Sequence, residues 1–232
     1  TIASAIASSI DGAATGLHAA ARGSSVAVWN DANTREKLVV SSGGGNENVV
    51  VFNGITESIQ GLPLYARVGT RITVKPDPTS DEGTYYLDAV GLDGSVVPDA
   101  VIKLEEVVWT ESRSPTEEHT IDETTMPHTI RYDYITDTFI RGVPELGWDE
   151  RTKGDNESVP LPAFMGRTIT ALGQFQKRLV LVSDNDVEMT VTDNIFNWFK
   201  QSAIDLLVTD PISITSNSTG IDVLQYIVEH NR

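Results

Sequence analysis

Over 232 residues the chain sets 17 Lys and Arg against 33 Asp and Glu, a formal net charge of −16. That balance argues against a general nucleic-acid-binding surface, because phosphate neutralisation needs clustered cations and here they are scattered. With no cysteine there is no disulfide framework, thiolate metal site or cysteine nucleophile, and no apolar run approaches the roughly 18 residues of a membrane-spanning helix, so no membrane insertion is expected.

In chain order, Thr1 to Asp11 places Ile2, Ile6 and Ile10 four residues apart with Ala3 and Ala7 beside them, which predicts a short amphipathic helix packed on a sheet, with Gly12 as its C-cap. Leu17 to Arg22 and Ser25 to Trp29, joined by Gly23-Ser24, read as a hairpin. Leu38 to Val40 is a further strand candidate, and Gly43 to Gly45 is a linker rather than a phosphate cradle, since no Lys-Ser/Thr pair follows it. Val49 to Phe52 is strand-like, and Ile55 to Ile59 reads as one helical turn ended by Gly61-Leu62-Pro63. Strands return at Arg71 to Lys75, Thr84 to Val90 and Ile102 to Thr110, with Tyr85 and Leu87 on one face and Tyr86 and Asp88 on the other.

The stretch Glu111 to Thr124 is polar and acidic and reads as a linker, placing a domain boundary near residue 115. Beyond it, Thr129 to Tyr134 and Thr136 to Arg141 are strand candidates. A long Gly/Pro-rich loop to Gly166 follows, for which Trp148, Leu161 and Phe164 are the anchors. Arg167 to Gln176 is another strand. The unbroken run Leu179 to Val182 predicts a buried strand, Ser183 to Asp186 a turn, and the alternation of Val187, Met189 and Val191 with Glu188, Thr190 and Thr192 a half-buried strand. Ile204 to Val208 and Ile212 to Thr215 flank the turn Asp210-Pro211, and Ile221 to Glu229 fits helix or strand.

Residue types offer little chemistry. The four histidines lack an HExxH spacing, which argues against catalytic zinc. Asp184 and Asp186 begin like a calcium loop, but Met189 and Ile195 stand where glycine and a bidentate Glu are needed. No GxSxG elbow occurs. Phe196, Trp198 and Phe199, beside Asn194 and Asn197, are read as core packing in preference to a sugar-binding platform.

Taken together, residues 125 to 215 resemble the tail tubular protein B, or nozzle, family of short-tailed podovirus phages. The resemblance rests on segments in order: Thr125-Met126-Pro127-His128; Trp148, Arg151, Gly154-Asp155, Pro160, Pro162, Phe164 and Gly166; Arg178-Leu179, Ser183, Met189 and Ile195-Phe196-Asn197-Trp198-Phe199; and Asp210-Pro211-Ile212. Weaker matches upstream include Leu62-Pro63, Gly69 to Val74 and Tyr85-Tyr86. Phe196-Asn197-Trp198-Phe199 stands where the family tends to have Phe-Asn-Phe-Phe, and Val191-Thr192 where an Arg is frequent, which suggests a distant member.

The resemblance implies a mainly β protein with a small α+β part: an inserted, platform-like α+β domain over residues 1–115, then part of a β-propeller over 116–232. It implies a structural, non-catalytic component of the virion tail, without cofactor, assembled in the host cytoplasm into a six-copy ring. Its partners would be the tail adaptor protein and tail fibres, and it would pass DNA without binding it specifically. Met126, Pro127, His128, Trp148, Arg151, Asp155, Phe164, Arg178, Phe196, Trp198 and Phe199 would serve structure and assembly. Because the family protein is longer and the chain opens on Thr1, an internal fragment is expected. The rival readings are a carbohydrate-binding or adhesive domain, and a polysaccharide hydrolase with two carboxylates across a cleft.

Overall fold

The computed structural model describes residues 1–13, 16–30, 51–96, 103–145, 147–216 and 224–228. The expected strand at Leu38 to Val40, the glycine loop, the start of the Val49 segment and Ile221 to Val223 lie outside the described residues. The chain divides into two compact units, Thr1–Ser112 and Arg113–Arg232. Among the described residues there are one helix and thirteen strands, so the protein is mainly β.

The first unit opens with α1 (Ile2–Ala13). The Thr1 hydroxyl caps it by accepting from the Ser4 amide at 3.2 Å. The helix packs against a hairpin of β1 (Leu17–Arg22) and β2 (Ser25–Asn30). Its buried face differs from expectation: Ala3 and Ala7 are buried, whereas Ile2 is 82% exposed. Small side chains let the helix backbone come close to an alanine-rich hairpin, which the longer isoleucine row would hold off. Gly12 lies within the helix rather than capping it.

The remaining strands of this unit are β3 (Ile55–Thr56), β4 (Tyr65–Ala66), β5 (Arg71–Val74), β6 (Tyr85–Gly91) and β7 (Glu105–Ser112), hydrogen-bonded in the order β3-β5-β6-β7-β4. Ile55 therefore starts a strand parallel to β5 and not a helical turn. The Thr73 and Lys75 amides take the Gly54 and Thr56 carbonyls at 2.8 Å each, holding the segment extended. Alternation decides the faces. Ile72, Val74, Leu87, Ala89 and Val107 are buried on one side, while on the other Arg71 forms a bidentate pair with Asp88 at 2.6 and 2.7 Å. At the β1–β2 turn Gly23 has φ +61°, and the Tyr65 ring lies so close that an added Cβ would stand 2.6 Å from it. Arg22 stacks over the same ring, 5.1 Å from its centroid.

In the second unit, β8 (Thr129–Asp133) and β9 (Thr138–Gly142) form an isolated hairpin. β10 (Ile169–Phe175), β11 (Arg178–Ser183), β12 (Asp186–Met189) and β13 (Ile212–Thr215) make an antiparallel meander in sequence order. Ile204 to Val208 is not a strand, and residues 224–228 have no regular structure. The acidic stretch after Ser112 is no free linker: Ser114 and Ile121 are buried, and the Ser114 amide donates to the Gly154 carbonyl at 2.7 Å. A single four-stranded sheet does not amount to a β-propeller, which requires several such sheets arranged about an axis.

Candidate functional site

Most of the residues carried by the resemblance converge on one core in the second unit. Trp148, Phe164, Trp198 and Phe199 are buried there with Met126, Ile121, Val159 and Leu181. Phe164 meets Trp198 edge-on at 4.8 Å between centroids, and Phe196 meets Trp148 likewise at 5.5 Å. Asparagines shape the 194–199 segment: Asn194 Oδ1 accepts from the Phe196 amide at 3.1 Å and Asn197 Oδ1 from the Phe199 amide at 2.8 Å. With Trp198 and Phe199 inside, this segment packs a core and presents no ring platform. Trp148 and Phe164 do anchor the long loop, as expected.

Around the aromatics sits a shell of buried polar residues. Arg151 is 1% exposed; its Nη1 donates to Asn156 Oδ1 at 2.8 Å and to the Val159 carbonyl at 3.0 Å, and its Nη2 to Glu117 Oε2 at 3.2 Å and to the Glu118 carbonyl. One guanidinium thus ties the acidic stretch to the long loop. Asp155 Oδ1 accepts from the amides of Glu157 and Ser158 and from the Ser158 hydroxyl, shaping the turn between them. Gly154, just before it, has φ +63°, and a Cβ there would lie 2.8 Å from Val159 and 3.1 Å from Ala203. Arg178, also buried, donates to the carbonyls of Thr190 (2.5 Å), Asp210 (2.7 Å) and Val208 (3.0 Å), closing the loop between β12 and β13 with no carboxylate in the set. Pro127 is half-buried and His128 exposed, its Nδ1 accepting from Arg141 Nε at 3.1 Å.

The β12 strand reverses the expected sense of its faces. Asp186, Glu188 and Thr190 are buried, whereas Val187 and Met189 are only half-buried. Long-range partners make this possible. Asp186 accepts from Arg167 Nη1 at 2.5 Å and Thr215 Oγ1 at 2.6 Å; Glu188 Oε1 accepts from Ser213 Oγ at 2.7 Å and the Ala163 amide at 3.3 Å. Burial pushes the Glu188 carboxyl above its usual range, an effect partly offset by those two hydrogen bonds and reinforced by the nearby Asp186 charge. The two carboxylates stand side by side on one strand and engage the protein's own groups, unlike a glycosidase pair across a cleft. Spacing in the sequence gave no sign of them, because every partner lies about twenty residues or more away in the chain.

The β8–β9 hairpin is the opposite of this core. Ile130 is 72% exposed and Phe139 75%, with Tyr132, Tyr134 and Ile135 exposed beside them.

Compared with known proteins, residues 1–232 match the family model described as bacteriophage nozzle protein. The Tail tubular protein gp12 of Escherichia phage T7 is 26% identical over 178 residues, covering 74% of this chain and 20% of that protein. The chain thus spans about a fifth of the length of that curated relative.

Proposed function

Because the chain belongs to the bacteriophage nozzle protein family, and is thereby a structural protein of the phage tail, we propose that it forms part of the wall of the conduit through which the genome leaves. The observation that carries this reading is the charge of −16 on a folded chain whose buried carboxylates are held by internal partners. Acidic groups turned to a lumen repel the phosphate backbone and let DNA slide without sticking. A density map of the assembled ring from purified tails tests it: an acidic lumen is expected, and a basic one would overturn the reading.

In this reading the full-length protein stands as a six-copy ring between the tail adaptor protein and the tail fibres, assembled in the host cytoplasm, and performs no catalysis. The meander β10–β13 is one blade of a β-propeller. Its supporting feature is a second apolar face, opposite the aromatic core, where Val187 and Met189 are half-buried and Ile212 and Ile214 are 40% and 52% exposed. A blade needs such a face to stack on its neighbour. The aromatic and arginine cluster holds the 142–166 loop rigid at subunit contacts. Trp148→Ala and Phe164→Ala proteins should therefore fail to form normal rings in electron micrographs; normal rings would remove that role.

A further inference from the structure

The β8–β9 hairpin is hard to account for as an element of a lone chain. Two-stranded hairpins are marginal in water without a covered face, and this one pairs with no further strand. Its register puts Ile130, Tyr132, Phe139 and Arg141 on one face, and all four are exposed. Tyr132 and Phe139 pack together at 5.2 Å between centroids, forming a preassembled aromatic patch.

Charge gives the patch a direction. Between Thr129 and Gly142 there are two arginines and two aspartates, so the hairpin is neutral within a chain of −16. Both aspartates are engaged inside the hairpin. Asp133 accepts from the Ile135 amide and the Thr136 hydroxyl, each at 2.9 Å, and Asp137 from the Tyr132 hydroxyl. Arg131 pairs with Glu145 at 2.9 Å. Arg141 meets a histidine nitrogen and, among the described residues, no carboxylate. The outward face is therefore aromatic and cationic, the composition enriched where proteins meet.

We propose that this hairpin is a self-association surface through which one copy of the chain docks on the acidic surface of a second, with Tyr132 and Phe139 as apolar anchors and Arg141 as the charged one. An aromatic, cationic face fits an acidic partner, and the chain itself is such a partner. An anionic membrane suits it less, since the remaining charge of the chain would be repelled. The inference rests on the ring reading above and deepens it by naming a contact.

The absence of cysteine makes the test simple. A Phe139→Cys chain labelled with a benzophenone maleimide should give a covalent dimer on illumination, and a Glu82→Cys chain, labelled at an exposed loop of the first unit, should not. Sedimentation of the unlabelled chain should show association that weakens about tenfold with Phe139→Asp and with Arg141→Glu, the second effect shrinking at high salt. A chain monomeric up to roughly 100 μM, association unchanged by both substitutions, or binding to phosphatidylglycerol vesicles lost with Phe139→Asp without any chain–chain crosslink would each overturn the proposal. If the protein is found in purified tails while the hairpin variants associate normally, the ring reading survives and the hairpin's role does not.

Discussion

The two units solve the same problem, a buried sheet face, with different materials. In the first, the central cluster is Ala66, Val68, Ala89 and Val107 with Trp109 against it: small side chains, plain alternation and no buried charge. In the second, four large aromatics fill the centre, and Arg151, Arg178, Asp186 and Glu188 are buried around them. The contrast teaches that strand alternation states which residues share a face but not which face turns inward. Where distant partners satisfy the polar groups, a row of acid and hydroxyl side chains can be the inner one.

Substitutions should separate the two designs. The largest loss is expected from Trp198→Ala, about 3–5 kcal/mol by denaturant unfolding, since the ring contacts both Phe164 and Trp148. Arg151→Met should cost roughly 3 kcal/mol, because it orphans the Val159 and Glu118 carbonyls and leaves Glu117 without its cation. A comparable effect has no counterpart in the first unit, where overpacking is the weak point: Ala89→Leu, at a site with 0% exposure, should cost about 1–3 kcal/mol. Should Arg151→Met prove neutral, the polar shell would be ornament to the aromatic core and the contrast would collapse to side-chain size alone.

Smaller effects refine the comparison. In the unfolded chain Glu188 titrates near the ordinary value of about 4.3, and burial raises it in the native protein. The native state then holds the proton to higher pH than the unfolded one. Stability is accordingly unpenalised below about pH 4, falls as pH rises from there through the raised value, and stays lower beyond it. Glu188→Gln, which still accepts through its amide oxygen, should raise stability at pH 7 by on the order of 1 kcal/mol, with the gain gone below about pH 4. Thermal melts of both proteins across pH 3.5–7.5, a range set by those values, check this. The least change is expected at the β10–β11 turn, where Gln176 and Lys177 both take positive φ, 46° and 63°. Asn and Gly accept that geometry readily, so the double replacement Gln176→Asn with Lys177→Gly should stabilise by roughly 0.5–1 kcal/mol.

These cases also mark what could be read from the amino acids. The hairpin at Gly23-Ser24, strands β5 to β7, the run Leu179 to Val182 and the anchoring roles of Trp148 and Phe164 were legible because period and composition are local signals. The buried Ala3/Ala7 face of α1, the extended Ile55 segment and the inward acids of β12 were not, because each depends on what the segment packs against. Gln176-Lys177 carries no turn signature at all. The Asn194 and Asn197 turns show the intermediate case: the residue types pointed to a turn, and only the fold showed that it tucks Trp198 and Phe199 inward.

The order of strands bears on how each unit reaches its fold. In β10–β13 every strand pairs with the next in sequence, and only the β12–β13 step spans a long loop. The first unit instead joins Tyr65 to Glu106 and places β4 outside β7, a closure across some forty residues. Loop entropy makes the meander the faster of the two to assemble. In pulse-labelled hydrogen exchange during refolding, amides of β11 should gain protection before those of β7, so the second unit would offer a formed surface while the first is still closing.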